Sequence, residues 1–438
     1  MFAYHLRLAL LSLRRTPVVS LLMIVAVGLG IGVCMTMLSV YALMAGDPIP
    51  EKSDVLYAVQ LDNWSPDRPF GEPNEPPRSL TWRDSLALLE RTPAGIPRTA
   101  TVGTGFVVEV PGAQEVRPEI VTARAATVDF FHMFQVPFIH GSAWSASHDA
   151  DGAPVIVLSR ALNERLFGGE DSVGRELRIG NELLRVVGVI DHWQPTPRFY
   201  DLSVGAFADT DEAFVPIALF DRHQQDWGGV SGSINCWQAP PAEGVFHSEC
   251  VFMQFWVELA DQAAVADYRA FLDAYVTEQK KLGRFARPLN NRLSDVNTWL
   301  DVNEVVQDDN SVLLGLSFMF LAVCLLNTVG LLLAKFLGRA GDVGVRRALG
   351  ASRTRVFGQH LVEVGLLGAF GGLLGLALAW AGLHGVRRLY VDYERVAHLN
   401  AELVAIAIGL AIVAGLAAGL YPAWRICRIQ PATSLKTQ

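Results

Sequence analysis

The sequence predicts an α-helical membrane protein with four transmembrane helices and a large mixed α/β extracytoplasmic domain inserted between helices 1 and 2. Three observations carry that prediction. First, of 438 residues 51% are hydrophobic and 18% charged, with a mean hydropathy of +0.29, whereas ordinary globular chains are about a quarter charged. Second, the apolar residues are clustered: stretches 18–46, 311–334, 364–383 and 403–424 contain no charged residue. A helix needs roughly 20 apolar residues to cross a bilayer, and each stretch supplies that. Third, charge is sorted along the chain.

Residues 1–17 carry Arg7, Arg14 and Arg15 and no acid, a balance of +3. Stretch 18–46 is the first span. Its apolar run is about twice the h-region of a secretory signal peptide, and only a poor cleavage site stands near 42–45, so an uncleaved anchor is the better reading. Residues 47–310, the inserted domain with a stalk at its end, carry −18 of the total of −8. After the second span, 311–334, the segment 335–363 holds +4, and after the third, 364–383, the connection 384–402 balances to zero. The fourth span, 403–424, leads to the tail 425–438 at +3. Short positive loops remain cytoplasmic. Both termini and 335–363 are therefore expected inside, and 47–310 outside.

The inserted domain reads as mixed α and β. Residues 78–91 have helical apolar spacing, 101–110 are strand-like up to the Pro111-Gly112 stop, and 154–159 form a short strand feeding a helix capped by Ser159. That helix ends at Gly168 and Gly169. Strands over 176–179 and 183–190, joined by Gly180 and Asn181, have hairpin composition. A strand over 251–259 precedes a helix over 261–281, and the polar run 293–310 is expected to be a helical stalk continuing into the second span. Cys34 and Cys324 in spans and Cys427 in the tail read as small apolar filler. Cys236 and Cys250 fall in the exported domain, where a disulfide is permitted if the Cβ geometry allows.

Catalytic and nucleotide signatures are missing from the sequence. The run 169–176, GEDSVGRE, lacks the Lys and hydroxyl of a phosphate-binding loop and places acids where phosphate would sit, so it reads as a turn. No H-E-x-x-H, C-x-x-C or G-x-S-x-G occurs. His132, His140 and His148 match no metal-ligand spacing. No metal site, catalytic residue or cofactor of the chain's own is expected. The acidic exported domain excludes a basic nucleic-acid binder.

The specific signals lie around the positive loop. Asp342 opens a basic amphipathic segment that breaks near Gly350 before the third span. Its small residues Gly344, Ala348, Gly350 and Ala351 suit a helix pressed into another protein's groove, against the plainer reading of a basic clamp on lipid headgroups. Small residues recur four apart in the spans, as at Gly28 and Gly32, Gly371 and Gly375, and Gly415 and Gly419, a spacing that lets membrane helices approach closely.

GVRRALGASR at 344–353, the Gly-Gly-x-x-Gly at 371–375 and GLYPAWRICRIQPATSL at 419–435 resemble the permease domain of MacB/FtsX-like ABC transporters. Within the inserted domain, VTARAATVDFFHMFQVPFIHGSAWS and VIVLSRALNERLFGGEDSVGRELRIGNELLRVVGVI are similar to the MacB-type periplasmic core domain. The resemblance covers most of the chain and is weakest over 57–78 and 221–250. It implies that Gly344, Val345, Arg346, Arg347, Ala348, Leu349, Gly350, Ala351 and Arg353 form a coupling helix that docks on a separate cytoplasmic ABC ATPase, which holds the ATP and magnesium. It further implies a second permease copy or paralogue, a periplasmic adaptor protein and outer-membrane channel for export relatives, and multi-pass residence in a bacterial inner membrane. The expected function is mechanotransmission for efflux or export, with lipoprotein release or cell-wall-hydrolase control as alternatives inside the family. Outside it, the competing classes are a membrane-anchored sensor or binding protein and a tethered hydrolase.

Overall fold

The computed structural model describes residues 2–112, 117–224, 226–306, 308–389 and 401–427. They divide into two units, one made of 1–45 with 306–438 and the other of 46–305. The first unit opens with α1 (Phe2–Arg15) and α2 (Pro17–Met44). Pro17 is tolerated because it stands in the first turn of α2, where its missing N–H would have no partner in any case.

The second unit is a mixed α/β domain. Its first part runs β1 (Leu56–Gln60), β2 (Leu80–Thr81), α3 (Trp82–Arg91), β3 (Arg98–Glu109), β4 (Glu119–Ala126), α4 (Asp129–Met133) and β5 (Phe138–Gly141). The middle adds α5 (Ala146–Asp151), β6 (Val155–Ser159), α6 (Arg160–Phe167), β7 (Glu176–Ile179), β8 (Glu182–Ile190), β9 (Ala213–Pro216) and α7 (Ile217–His223). It closes with β10 (Val230–Ser231), β11 (Val251–Glu258), α8 (Gln262–Lys281), β12 (Arg292–Asp295) and α9 (Val296–Val302). The main path of the sheet is β12-β1-β11-β3-β4-β9-β6-β8-β5. β7 pairs with both β8 and β3, so the pairings β3-β4-β9-β6-β8-β7 return to β3 and close a ring of strands.

Alternation along the strands supplies two cores. On β1, Tyr57 and Val59 enter one apolar cluster while Leu56 and Ala58 enter the other, as a period of two requires when both faces are covered. α8 seals the first with Val265, Tyr268, Leu272 and Val276, and α4 and α9 seal the second with Phe130, Phe131, Trp299 and Leu300. Helix starts follow side-chain caps: Thr81, Ser159, Asp261 and Asp295 each accept a hydrogen bond from the backbone N–H three residues on. Gly168 ends α6 in the left-handed region, φ +67°, which costs a glycine least. The expected helical stalk over 293–310 is a departure. That stretch holds β12 and α9 and then a turn at 303–304 before the next helix, because Leu293, Val296, Trp299 and Leu300 are drawn into the domain's own cores.

The chain then returns to the first unit with α10 (Asp308–Leu337), α11 (Ala340–Ala348), α12 (Arg353–Leu389) and α13 (Ala401–Cys427). Among the described residues four helices, the first near the N-terminus, are long and apolar enough to cross a membrane: Pro17–Met44, Asp309–Leu337, Arg353–Gly385 and Ala405–Ile426. α10 and α12 run past the uncharged stretches, so the linker expected over 335–363 contracts to 338–352 with α11 inside it. Residues 390–400 of the second connection and 428–438 of the tail lie outside the described residues.

Glycines set the helix spacing. A Cβ on Gly375 would lie 2.8 Å from Ile31 Cγ2, and one on Gly371 2.7 Å from Val27 Cγ1. From the opposite side, a Cβ on Gly28 would lie 2.9 Å from Leu374, and one on Gly32 2.8 Å from Leu378. α2 and α12 therefore approach more closely than any larger residue at these positions permits. A Cβ on Gly415 of α13 would likewise lie 3.1 Å from Gly368 Cα, and one on Gly419 would overlap the side chain of Val364, both on α12. Thr328 donates to Cys324 O of its own helix at 2.8 Å, a back-bond that satisfies a hydroxyl in an apolar setting.

Candidate functional site

α11 is nine residues long and lies between two breaks. Gly338 and Arg339 close α10 through bonds to Ala334 O and Phe336 O, and Gly350, at φ +98°, closes α11 by donating to Arg347 O. All the proposed coupling residues except Leu349, Gly350, Ala351 and Arg353 are on α11. Leu349 and Gly350 form its C-terminal cap region, Ala351 packs against the core beneath, and Arg353 begins α12.

The helix has two faces. Gly344 is buried and Val343 packs on a core of Met23, Leu332, Phe336, Val356, Val364 and Ile426. Val345 and Leu349, four residues apart and thus on one side of a helix, are 47% and 84% exposed. Of the small residues expected at the edge for a partner, Gly344 is buried and Gly350 is exposed. The outward edge is the apolar pair, and exposure of Leu349 is the signal the composition could not give.

Beneath α11 lies a cluster of charge whose members are far apart in the sequence. Lys335 Nζ pairs with Glu363 Oε1 at 2.8 Å, both side chains almost fully buried. Lys335 also donates to Ser20 Oγ at 3.2 Å, Ser12 Oγ donates to Glu363 Oε1, and Arg339 donates to the hydroxyl and carbonyl of Ser12. His360 Nδ1 stands 3.6 Å from Glu363 Oε2. Residues of α1, α2, α10 and α12 thus meet at one point. The sequence placed Lys335 and Glu363 in a solvated loop because they bound the uncharged stretches; mutual pairing is what allows both helices to continue through them.

The second unit has its own closed charge network. Arg124 of β4 is fully buried between Asp201 and Asp211, each at 2.6 Å, and Arg198 reaches Asp211 at 3.0 Å. Both guanidinium groups stack on the Tyr200 ring, 4.9 and 5.0 Å from its centre. Burial pushes Asp201 up, but Arg124 and Arg198 outweigh it and hold the carboxyl below its usual range. Nearby, Asp149 accepts from Val128 N and Trp144 Nε1, both at 2.6 Å. Burial dominates those bonds and raises its pKa to about 6.

The stretches 57–78 and 221–250, where the resemblance is weakest, are joined by hydrogen bonds. Cys236 and Cys250 form a disulfide, and Arg68 donates to Trp237 O at 3.1 Å while Asn63 donates to Glu249 O at 3.3 Å. Arg284 bridges Glu249 and Asp84 at 2.6 and 2.7 Å. Among the described residues no group of three His, Cys, Asp or Glu side chains could hold a metal ion. The run at 169–176 forms turns leading into β7, with positive φ at Gly169 and Gly174.

A four-span membrane bundle with a periplasmic-type α/β domain between its first and second spans defines the class. The MacB-like periplasmic core domain matches residues 20–275, and the FtsX-like permease C-terminal domain matches 314–431. The chain belongs to the MacB/FtsX family of ABC transporter permeases. It is 24% identical over 304 residues to the macrolide export ATP-binding/permease protein MacB of Marinobacter nauticus, covering 69% of this chain and 41% of that protein. It is also 24% identical to the pyoverdine export ATP-binding/permease protein PvdT of Pseudomonas entomophila, over 70% of this chain and 41% of the relative. The chain thus spans under half the length of these relatives. The crystal structure of the periplasmic region of MacB from Actinobacillus actinomycetemcomitans aligns with a TM-score of 0.36 and 13% identity, over 58% of this chain and 95% of that one.

Proposed function

We propose that this permease converts ATP hydrolysis on a partner ATPase into movement of its periplasmic-type domain, in the service of efflux or export. ATP and magnesium belong to the partner, which docks on α11 from the cytoplasm, and the permease works with a second copy or a paralogue in a bacterial inner membrane. The observation that carries this reading is α11 itself: a short helix bounded by two breaks, with Val345 and Leu349 outward and Val343 and Gly344 on the bundle. A rigid helix with an apolar outer edge and basic residues at Arg346 and Arg347 suits a groove on a soluble partner. The charge cluster at its root offers a path for force, because Lys335 and Glu363 bind α10 to α12.

Export is favoured by the kind of relative matched, since MacB and PvdT are both described as export proteins. The largely exposed run 66–74, held by Arg68 to the loop that carries the Cys236–Cys250 disulfide, is the part of the domain free to serve a particular cargo or adaptor, with an outer-membrane channel beyond it. Pull-down from cell membranes tests the reading. The wild-type chain is expected to retain a nucleotide-binding protein that R346E/R347E loses, and equal retention by both would remove the basis for docking at α11.

A further inference from the structure

Beside the charge cluster, α1, the α10–α11 junction and α12 enclose a pocket of about 120 Å³ whose wall includes Leu8, Leu11, Ser12, Arg15, Arg339 and His360. That is several times the roughly 10–15 Å³ a single water requires. Its position along the chain is informative. Arg15 stands just ahead of α2, Arg339 just after α10, and Glu363 immediately before the uncharged stretch 364–383. Three separate segments therefore change from apolar to polar at this pocket, which marks the level of lipid headgroups.

The wall is also unbalanced in charge. Glu363 is matched by Lys335 at 2.8 Å, which leaves the guanidinium groups of Arg15 and Arg339 as positive charge on the lining. Arg339 is oriented by Ser12, to whose hydroxyl and carbonyl it donates. His360 is 5% exposed, and its Nδ1 has no hydrogen-bond partner among the described residues. Leu8 and the 47%-exposed Leu11 give the same pocket an apolar margin. Planar guanidinium groups suit phosphate oxygens, and basic pockets between membrane helices suit anionic headgroups.

We propose that this pocket binds the phosphate of an anionic phospholipid, with Arg15 and Arg339 on the phosphate oxygens and Leu8 and Leu11 along the start of the acyl chains. A bound lipid would tie α1 to the root of α11, so its occupancy would set how firmly α11 is held.

The test uses the full chain, extracted from nanodiscs containing phosphatidylcholine and phosphatidylglycerol and read by native mass spectrometry. Phosphatidylglycerol is expected to be retained in preference. R15Q and R339Q should each weaken that retention about fivefold, the worth of one basic residue at an anionic surface. R15Q alters an exposed side chain, so the result does not depend on how well R339Q folds. R7Q, on the same helix but off the pocket, should change nothing, and inorganic phosphate should not displace the lipid. Unchanged retention in R15Q, an equal loss in R7Q, or displacement by inorganic phosphate would overturn the proposal; the last would make it a free-anion site.

Discussion

Arg124 in the periplasmic-type domain and Lys335 in the membrane bundle are both cations with almost no exposure, yet their surroundings differ in kind. Arg124 has two carboxylates at 2.6 Å, a second arginine and an aromatic face, all from β4 and the segment 198–211. Lys335 has one carboxylate, and its cluster gathers α1, α2, α10 and α12 beside a pocket. The first network is closed within one domain and fixes its packing. The second joins four helices through one buried pair, so its charge acts on their register as much as on stability.

Breaking the closed network should cost most. R124M leaves Asp201 and Asp211 with Arg198 as their one remaining counter-charge among the described residues, and loss of about 3–5 kcal/mol is expected, read as a lowered denaturation midpoint of the full chain followed by tryptophan fluorescence. A milder loss would mean that water enters the site. The bundle cluster should respond differently to single and double changes. E363L strands Lys335 and should cost about 3 kcal/mol, whereas K335M/E363L, which removes both charges, should recover most of it. If the double variant is as unstable as the sum of the singles, the pair is not mutually dependent.

Packing between spans comes next. G375V places methyl groups where a Cβ already meets Ile31 at 2.8 Å, so about 1–3 kcal/mol of destabilisation is expected from overpacking, seen as a lower unfolding temperature in detergent. The smallest effect is a pH dependence confined to the domain. The pKa of Asp149 rises from 3.8 to about 6 on folding, so its contribution to stability is complete below the unfolded value and is lost as pH rises through about 6. Lowering pH from about 7 to about 5 should therefore add roughly 1 kcal/mol from this group. D149N should flatten that segment of a plot of unfolding temperature against pH.

The spans, the hairpin of β7 and β8, and the capped start of α6 were legible because each rests on local chemistry: absence of charge, a Gly-Asn turn, or a Ser at the helix start. The stalk was misread because residues 293–302 are polar enough to look solvated, while their few apolar members, Leu293, Val296, Trp299 and Leu300, are claimed by cores formed far away in sequence. The Lys335–Glu363 pair was illegible for the same reason. Two residues 28 positions apart count as loop charges until the return of α12 brings them within 2.8 Å. The end of α11 was readable from the break near Gly350, but its start and which face looks outward depend on the core formed by α2, α10, α12 and α13.

Docking of the ATPase on the outward edge of α11 is the central claim, and ATP turnover of the bound ATPase in nanodiscs measures it directly. With V345D/L349D, which alters the two exposed apolar positions, stimulation and binding are expected to fall by more than about tenfold, as when an interface hot spot is lost, while the unfolding temperature is unchanged. Undiminished binding and stimulation in that variant would contradict the account.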